Sequence, residues 1–432
     1  MNKQILFIAA VIITLCVFTY TLLRLRAFFK LTKPFPIKNY VKRFLVTLEV
    51  AFVQTKIFRK PVIGLMHALV FWGFCVILIG SIETIIDGLT GYEKSLSFLG
   101  KFYDFVLASG DIFAFLIGIF ILLFIGRRAF LHIKRFTGIE MQHKNHMDAY
   151  VALSLILFLM ISLLSMNTFY CTLHPTEDLK WIYPVSNYFA EFFMGTENTT
   201  LEIIYEASWW SHILLIFIFA NILPYSKHFH VFLSVFNVFF TRLEPLGKLP
   251  NMESITKEVK LMMNPDTAFA AASADAPPSR FGVKDVEDVT WKNYFDSLTC
   301  TQCGRCTSVC PANLTGKKLS PRKIMMDLRA RMKVKGPGLV KNGKDYTDNK
   351  SLIRDYISAE EIWACTTCNA CAQECPININ HPSLIIDMRR FIVMEESAAP
   401  SGLNSIFTNI ENNGAPWQFS NEDRMLWAKD IS

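Results

Sequence analysis

With 432 residues the chain has room for two or three domains, and a 52% hydrophobic content that includes 37 Phe exceeds what one soluble globule of that length needs. The apolar surplus lies mostly before residue 243, and the remainder has ordinary soluble composition. A formal net charge of +7 does not mark a nucleic-acid binder, because the basic residues sit mainly in loops between apolar segments, the pattern of a multi-pass membrane protein.

Apolar stretches long enough to cross a bilayer run over Ile5–Leu23, Pro61–Ile86, Phe105–Gly126, Ala149–Tyr170 and Ser208–Phe240. A cleaved signal peptide is the competing reading of the first. No small-x-small cleavage site follows it, and the chain continues into Arg24, Arg26 and Lys30, so it is read as a retained span. Between Arg24 and Lys60 there are ten Lys/Arg against Glu49 alone, and the Arg127–Asp148 loop is also basic. Cys171–Ala207 carries Lys180 against six acidic residues. Basic loops stay in the cytoplasm, which predicts an inner-membrane protein with its N-terminus outside and everything after the fifth span inside. Trp209 and Trp210 then fall at the outer interface, and Lys42 to Ile57 reads as an amphipathic helix on the inner leaflet.

Histidines within apolar spans are costly and usually functional. Two facing neutral imidazoles can clamp a b-type haem. At about 1.5 Å per residue, His67 in the second span and His230 in the fifth reach the same inner level, and they are the predicted axial ligands. His212 and His230 would share one face of an unbroken helix, with His228 pointing nearly the other way and Pro224 blurring the phase. His212 and His228 are further haem-ligand candidates; a second haem near the outer side would use His212, with His174 of the outer loop the nearest partner.

Beyond Asn264–Pro278, rich in Ala and Pro and read as an irregular linker, come eight of the eleven cysteines. They form two copies of one pattern: Cys300, Cys303, Cys306 and Cys310-Pro311, then Cys365, Cys368, Cys371 and Cys375-Pro376. In this spacing three close thiolates hold three corners of a [4Fe–4S] cube, and the fourth reaches to the other cube. One cluster therefore takes Cys300, Cys303, Cys306 and Cys375, the other Cys365, Cys368, Cys371 and Cys310. Structural zinc needs only four ligands per site and leaves the repeated Cys-Pro unexplained; disulfides are disfavoured in a reducing compartment. Cys16, Cys75 and Cys171 read as packed thiols. Between the motifs, Ser320–Lys333 reads as a helix capped by Ser320, Gly336 to Lys350 as a loop, and Ser358-x-x-Glu361 as a capping box. His381–Glu396 reads as a further helix.

The expected fold is all-α. A five-helix transmembrane bundle over 1–243 leads through a linker (244–285) to a cytoplasmic α-helical ferredoxin domain (286–400) and a C-terminal tail (401–432) suited to partner contact.

CTQCGRCTSVCPANLTGKKLSPRK, within Trp291–Met332, resembles the iron–sulfur subunit of heterodisulfide reductases. It is more similar still to membrane-bound iron–sulfur oxidoreductases that link electron-transfer flavoprotein to menaquinone, as are Asp387–Arg390 with Glu395–Glu396 and the closing Arg424–Ala428. HALVFWGF from His67 and NILPYSKHFH ending at His230 resemble the cytochrome b subunit of respiratory nitrate reductase. That subunit holds two haems through two histidines on each of two helices; here the second span has His67 alone, so the resemblance supports one haem b. Larger relatives continue into a Cys-Cys-Gly domain. This chain has no adjacent cysteines, which implies a separate iron–sulfur partner subunit.

Together these imply an oxidoreductase subunit passing electrons between an electron-transfer flavoprotein or similar donor, two [4Fe–4S] clusters, haem b and a (mena)quinone. The rival readings are an iron–sulfur anchor for a hydroxy-acid dehydrogenase or disulfide reductase, and a redox-sensing membrane protein. No nucleophile, general base or dinucleotide fingerprint is evident, so no catalytic residue is assigned.

Overall fold

The computed structural model describes residues 2–263, 280–418, 420–429 and 431; the linker expected over Asn264–Pro278 lies outside them. Five helices are long and apolar enough to cross a membrane: α1 (Asn2–Phe29), α3 (Pro61–Thr90), α4 (Lys101–Phe130), α5 (His143–Leu173) and α6 (Asn198–Ile222), with the short α2 (Tyr40–Thr47) between the first two. Each span extends past its apolar core by about a turn or more at one or both ends, because helices continue into the interfacial region where polar residues are solvated. Cys171 is buried, but Cys16 and Cys75 lie on the outward surface of the spans, contrary to the packed thiols expected. The amphipathic segment is also shorter than predicted: α2 gives way to a π-turn over Leu48–Phe52.

The fifth span is broken at Pro224, where its length and that proline raise the expectation of a kink. α6 stops at Ile222, 3₁₀ turns occupy Leu223–Tyr225 and Lys227–Phe229, and α7 (His230–Phe239) begins afresh. Pro224 offers no N–H and forces the break. His212 and His230 therefore sit on separate helices, and the argument that placed them on one face of a single helix does not hold.

Carbonyls released at such a break need donors. Arg329, from the soluble half, donates Nη2 to Pro224 O and Ser226 O, both at 3.1 Å. Asp148 accepts from Lys227 N at 3.1 Å.

The soluble half is helical as well. Its main elements are α8 (Trp291–Thr299), α9 (Pro321–Asn342), α10 (Ala359–Trp363), α11 (His381–Met394) and α12 (Ser401–Asn413); among the described residues β-structure is limited to isolated bridges. Ser320 caps α9 by accepting from Lys323 N at 3.4 Å, and Ser358 and Glu361 form the predicted capping box. Yet α9 continues nine residues past its predicted end at Lys333, through Gly336, Pro337 and Gly338. These glycines are places of close approach and do not end the helix. A Cβ on Gly336 would come within 2.9 Å of the Phe28 ring of α1, and one on Gly338 within 2.2 Å of Tyr346.

One apolar core joins the halves. Phe28, Val50, Leu223, Phe229 and Val238 pack in the same cluster as Val286, Leu328, Met332 and Met388. Val283 and Asp285, inside the segment expected as linker, are also buried.

Gly338→Val is expected to expel the Tyr346 ring and destabilise the soluble half by about 1–3 kcal/mol. The check is a lowered thermal midpoint by circular dichroism, with part of the loss recovered in the Gly338→Val/Tyr346→Ala double variant.

Candidate iron–sulfur and histidine sites

The two cysteine motifs repeat in backbone as well as in sequence. Gln302 and Thr367 occupy the same place in each and both adopt positive φ (55° and 54°), as do Gly304 and Asn369 (74° and 61°). Each motif thereby doubles back on itself before a short helix, Arg305–Ser308 or Ala370–Glu374. The turn aims backbone N–H groups at sulfur: Thr367 N donates to Cys365 Sγ at 3.4 Å, and the backbone of Gln302 does the same for Cys300.

Tertiary packing brings the expected sets together. Cys300, Cys303 and Cys306 line one cavity with Cys375 of the other motif. Cys310 lies within electrostatic reach of Cys365 and Cys371, which also feel Cys368. Arg305, beside Cys306, pairs through Nε with Glu374 at 2.9 Å, and Arg59 from the membrane half reaches the same carboxylate at 3.2 Å. Because Glu374 precedes Cys375, these pairs hold the exchanged cysteine against the first motif.

The thiols of one set line a common cavity. Burial pushes the Cys300 thiol up to about 11 and those of Cys371 and Cys375 up to about 12. Ligation must therefore displace protons, at a cost the metal's own charge offsets.

The two sets differ in depth. Cys300, Cys306 and Cys375 are buried and Cys303 is half-buried; in the other set Cys310 and Cys371 are buried, Cys365 is half-buried and Cys368 is exposed. Around the deeper set the membrane half contributes cations: Arg135 acts on Cys303 and Lys56 on Cys375. Gly304 admits this approach, since a Cβ there would lie 2.2 Å from Arg135 O.

The junction is fastened by Arg322 at the start of α9. Its guanidinium donates to Glu140 Oε1 at 2.7 Å, Arg135 O at 2.8 Å and Thr137 O at 2.9 Å, all in the loop between α4 and α5. Both partners are buried, with side chains 1% and 4% exposed. This pair was not singled out from sequence; the SPRK segment after the first motif is a signal only once its neighbour is known.

His67 and His230 are brought within electrostatic reach of each other, and Arg305 acts on His67 as well. His230 Nδ1 lies 3.2 Å from Lys227 O, which assigns its proton there and leaves Nε2 as a free lone pair, the tautomer of an axial ligand. His67 Nδ1 is buried with no partner. His228 turns to Ser226 Oγ at 3.0 Å.

His212 stands apart, at the acidic end of the bundle. Its Nδ1 lies 3.1 Å from both Leu159 O and Ser162 Oγ. The ring borders a cavity of about 400 Å³ whose lining includes no second histidine, His174 among the absentees. His381 is the site residue that sequence reasoning missed. It lines the Cys300 cavity, is 1% exposed, and burial pushes it down to about 4.

Replacing Arg322 with Met leaves Glu140 buried without its cation and is expected to cost about 3–5 kcal/mol. Chemical denaturation of the detergent-solubilised protein measures the loss, and adding Glu140→Gln should recover part of it.

Residues 299–379 match the model of the 4Fe-4S dicluster domain family. The chain is 30% identical to a probable iron-sulfur-binding oxidoreductase, FadF, of Bacillus subtilis, over 98% of this chain and 60% of the relative. It is 28% identical to the EtfAB:quinone oxidoreductase of Syntrophomonas wolfei, over 87% of this chain and 52% of that protein. A probable membrane-anchored ferredoxin of Chromohalobacter salexigens is 34% identical over 38% of this chain and 27% of its own length. The chain thus spans little more than half the length of the first two relatives. No solved structure matches it significantly. The resemblance carried by the cysteine motifs and their flanks therefore holds, and the chain is a homologue of iron–sulfur oxidoreductases with a 4Fe-4S dicluster domain joined to five apolar helices.

Proposed function

We propose that this chain is the membrane electron-transfer subunit of a quinone-linked oxidoreductase, moving electrons between a cytoplasmic donor and the (mena)quinone pool. The observation that carries the reading is the order of the sites. The Cys310/Cys365/Cys368/Cys371 set includes the exposed Cys368, the Cys300/Cys303/Cys306/Cys375 set meets Arg135 and Lys56 at the basic end of the bundle, and His67 follows within reach of Arg305 and of His230. In this reading the first set holds one [4Fe–4S] cluster, the second holds the other, and the two histidines clamp a haem b. When bound, these groups supply one-electron chemistry at potentials the protein tunes.

The chain's own residues do the rest. Lys56, Arg135 and Arg305 offset the negative charge expected on the deeper cluster, and the shared core excludes water from it. Arg322 keeps the two halves in register. The tautomer of His230 supports the haem assignment, as does the unpartnered nitrogen of His67. His212 would be the only protein ligand of a second haem, so the proposal keeps one; His228 is engaged by Ser226.

Loop charge supports an N-terminus outside and the iron–sulfur domain in the cytoplasm. The name of the Syntrophomonas relative, an EtfAB:quinone oxidoreductase, supports electron-transfer flavoprotein as donor. The likeness to heterodisulfide reductase subunits supports a further iron–sulfur partner.

Anaerobically purified protein should contain about eight iron and eight sulfide per chain and a low-spin b-type spectrum that the donor reduces and a menaquinone analogue reoxidises. His67→Ala and His230→Ala should each abolish the low-spin spectrum and keep the iron. A full spectrum in either variant overturns the axial assignment, and zinc in place of iron overturns the whole reading.

A further inference from the structure

We infer that His381 is a positioning residue for the deeper cluster, donating its imidazole N–H to a sulfur of the cube held by Cys300, Cys303, Cys306 and Cys375. The inference rests on the reading of those cysteines as cluster ligands. It goes beyond that reading by naming a side chain outside the motifs that sets the potential of one cluster and not the other.

His381 is the first residue of α11, directly after its N-cap Asn380. Its backbone position is fixed from both sides: Asn380 Oδ1 accepts from Ser383 N at 3.3 Å, and Ile377 and Ile379 present their backbone to Cys375 Sγ. The ring is thereby delivered into the wall of the Cys300 cavity, where it is 1% exposed. Nothing among the described residues satisfies it. Nδ1 is buried without a partner, and no hydrogen bond to either ring nitrogen is present among the described residues.

A neutral imidazole carries one N–H, and leaving a buried donor unmade costs about 1–3 kcal/mol, so such a group is retained where something accepts from it. The cavity it borders offers sulfur: four cysteine Sγ atoms, and with the cluster bound the inorganic sulfides. Both gain negative charge on reduction. A donor aimed at them stabilises the reduced form more than the oxidised one and raises the potential. The other cysteine set shows no counterpart: the groups that act on Cys365 and Cys371 are Arg389, the neighbouring cysteines and the backbone of Thr367 and Ala372, with no histidine among them. The effect is therefore specific to the cluster nearer the membrane, which biases electrons toward the bundle.

The test is a redox titration of His381→Leu and His381→Asn in the purified, cluster-loaded full chain, followed by electron paramagnetic resonance. In the Leu variant the deeper cluster should become about tenfold harder to reduce, a fall of about 59 mV for one electron, while the other cluster stays put. Asn, which restores an N–H, should recover part of the shift. Unchanged potentials in a Leu variant with full iron content overturn the inference, as does an equal shift of both clusters. If the Leu variant fails to assemble, wild-type protein labelled with ¹⁵N-histidine decides the matter by pulsed resonance: a weakly coupled imidazole nitrogen in the reduced signal supports the hydrogen bond, and none refutes it. Wild-type protein without two cluster signals would instead mean that the cysteine reading itself has failed.

Discussion

A single buried guanidinium sets the geometry on which the rest depends. Arg322 reaches out of the soluble half and is met by Glu140 and two carbonyls of a loop from the membrane half. Removing two charges from water is costly unless each finds near-ideal partners, and here the cation does. A joint of this kind tolerates little play. It also explains why Gly304 stands in the first motif, since only a residue without Cβ lets the Arg135 carbonyl approach so closely. The membrane loop and the cysteine loop are thus fitted to each other, and the distance from thiols to bundle follows.

Around this joint, charge and burial are graded. The deeper cysteine set is enclosed by the apolar core common to both halves and by cations supplied mainly from the membrane side. The shallower set is partly open to solvent. Cations around the deeper set would favour an added electron on a negatively charged cluster held there, whereas exposure lets a docking partner approach. The architecture thus has one cysteine set partly open to solvent and one enclosed where the two halves meet.

The break in the fifth span serves the same arrangement. An unbroken helix would have carried His230 on along the α6 axis. The turns at Pro224 and Ser226 reset its direction, and Arg329 from the soluble half satisfies the carbonyls so freed. The residue that repairs the membrane helix therefore belongs to the iron–sulfur half, so neither half completes its hydrogen bonding alone.

Much of this was legible in the amino-acid sequence. Hydropathy and length determined the five spans because a bilayer demands about 20 apolar residues whatever surrounds them. Cysteine spacing determined both motifs because a cube constrains its ligands locally, and Ser320, Ser358 and Glu361 announced helix starts because capping is a contact between near neighbours. What sequence left undecided depended on partners far along the chain. Gly336 and Gly338 read as helix enders until Phe28 and Tyr346 were found against them, and Pro224 signalled a bend without saying where His230 would then lie. Arg322 and His381 looked like ordinary polar residues of a soluble surface. Their roles come from burial beside groups about 180 residues and about 80 residues distant in the chain. Local rules of period, cap and spacing act within a few residues; only the tertiary fold decides which charges and rings are left in the dark together.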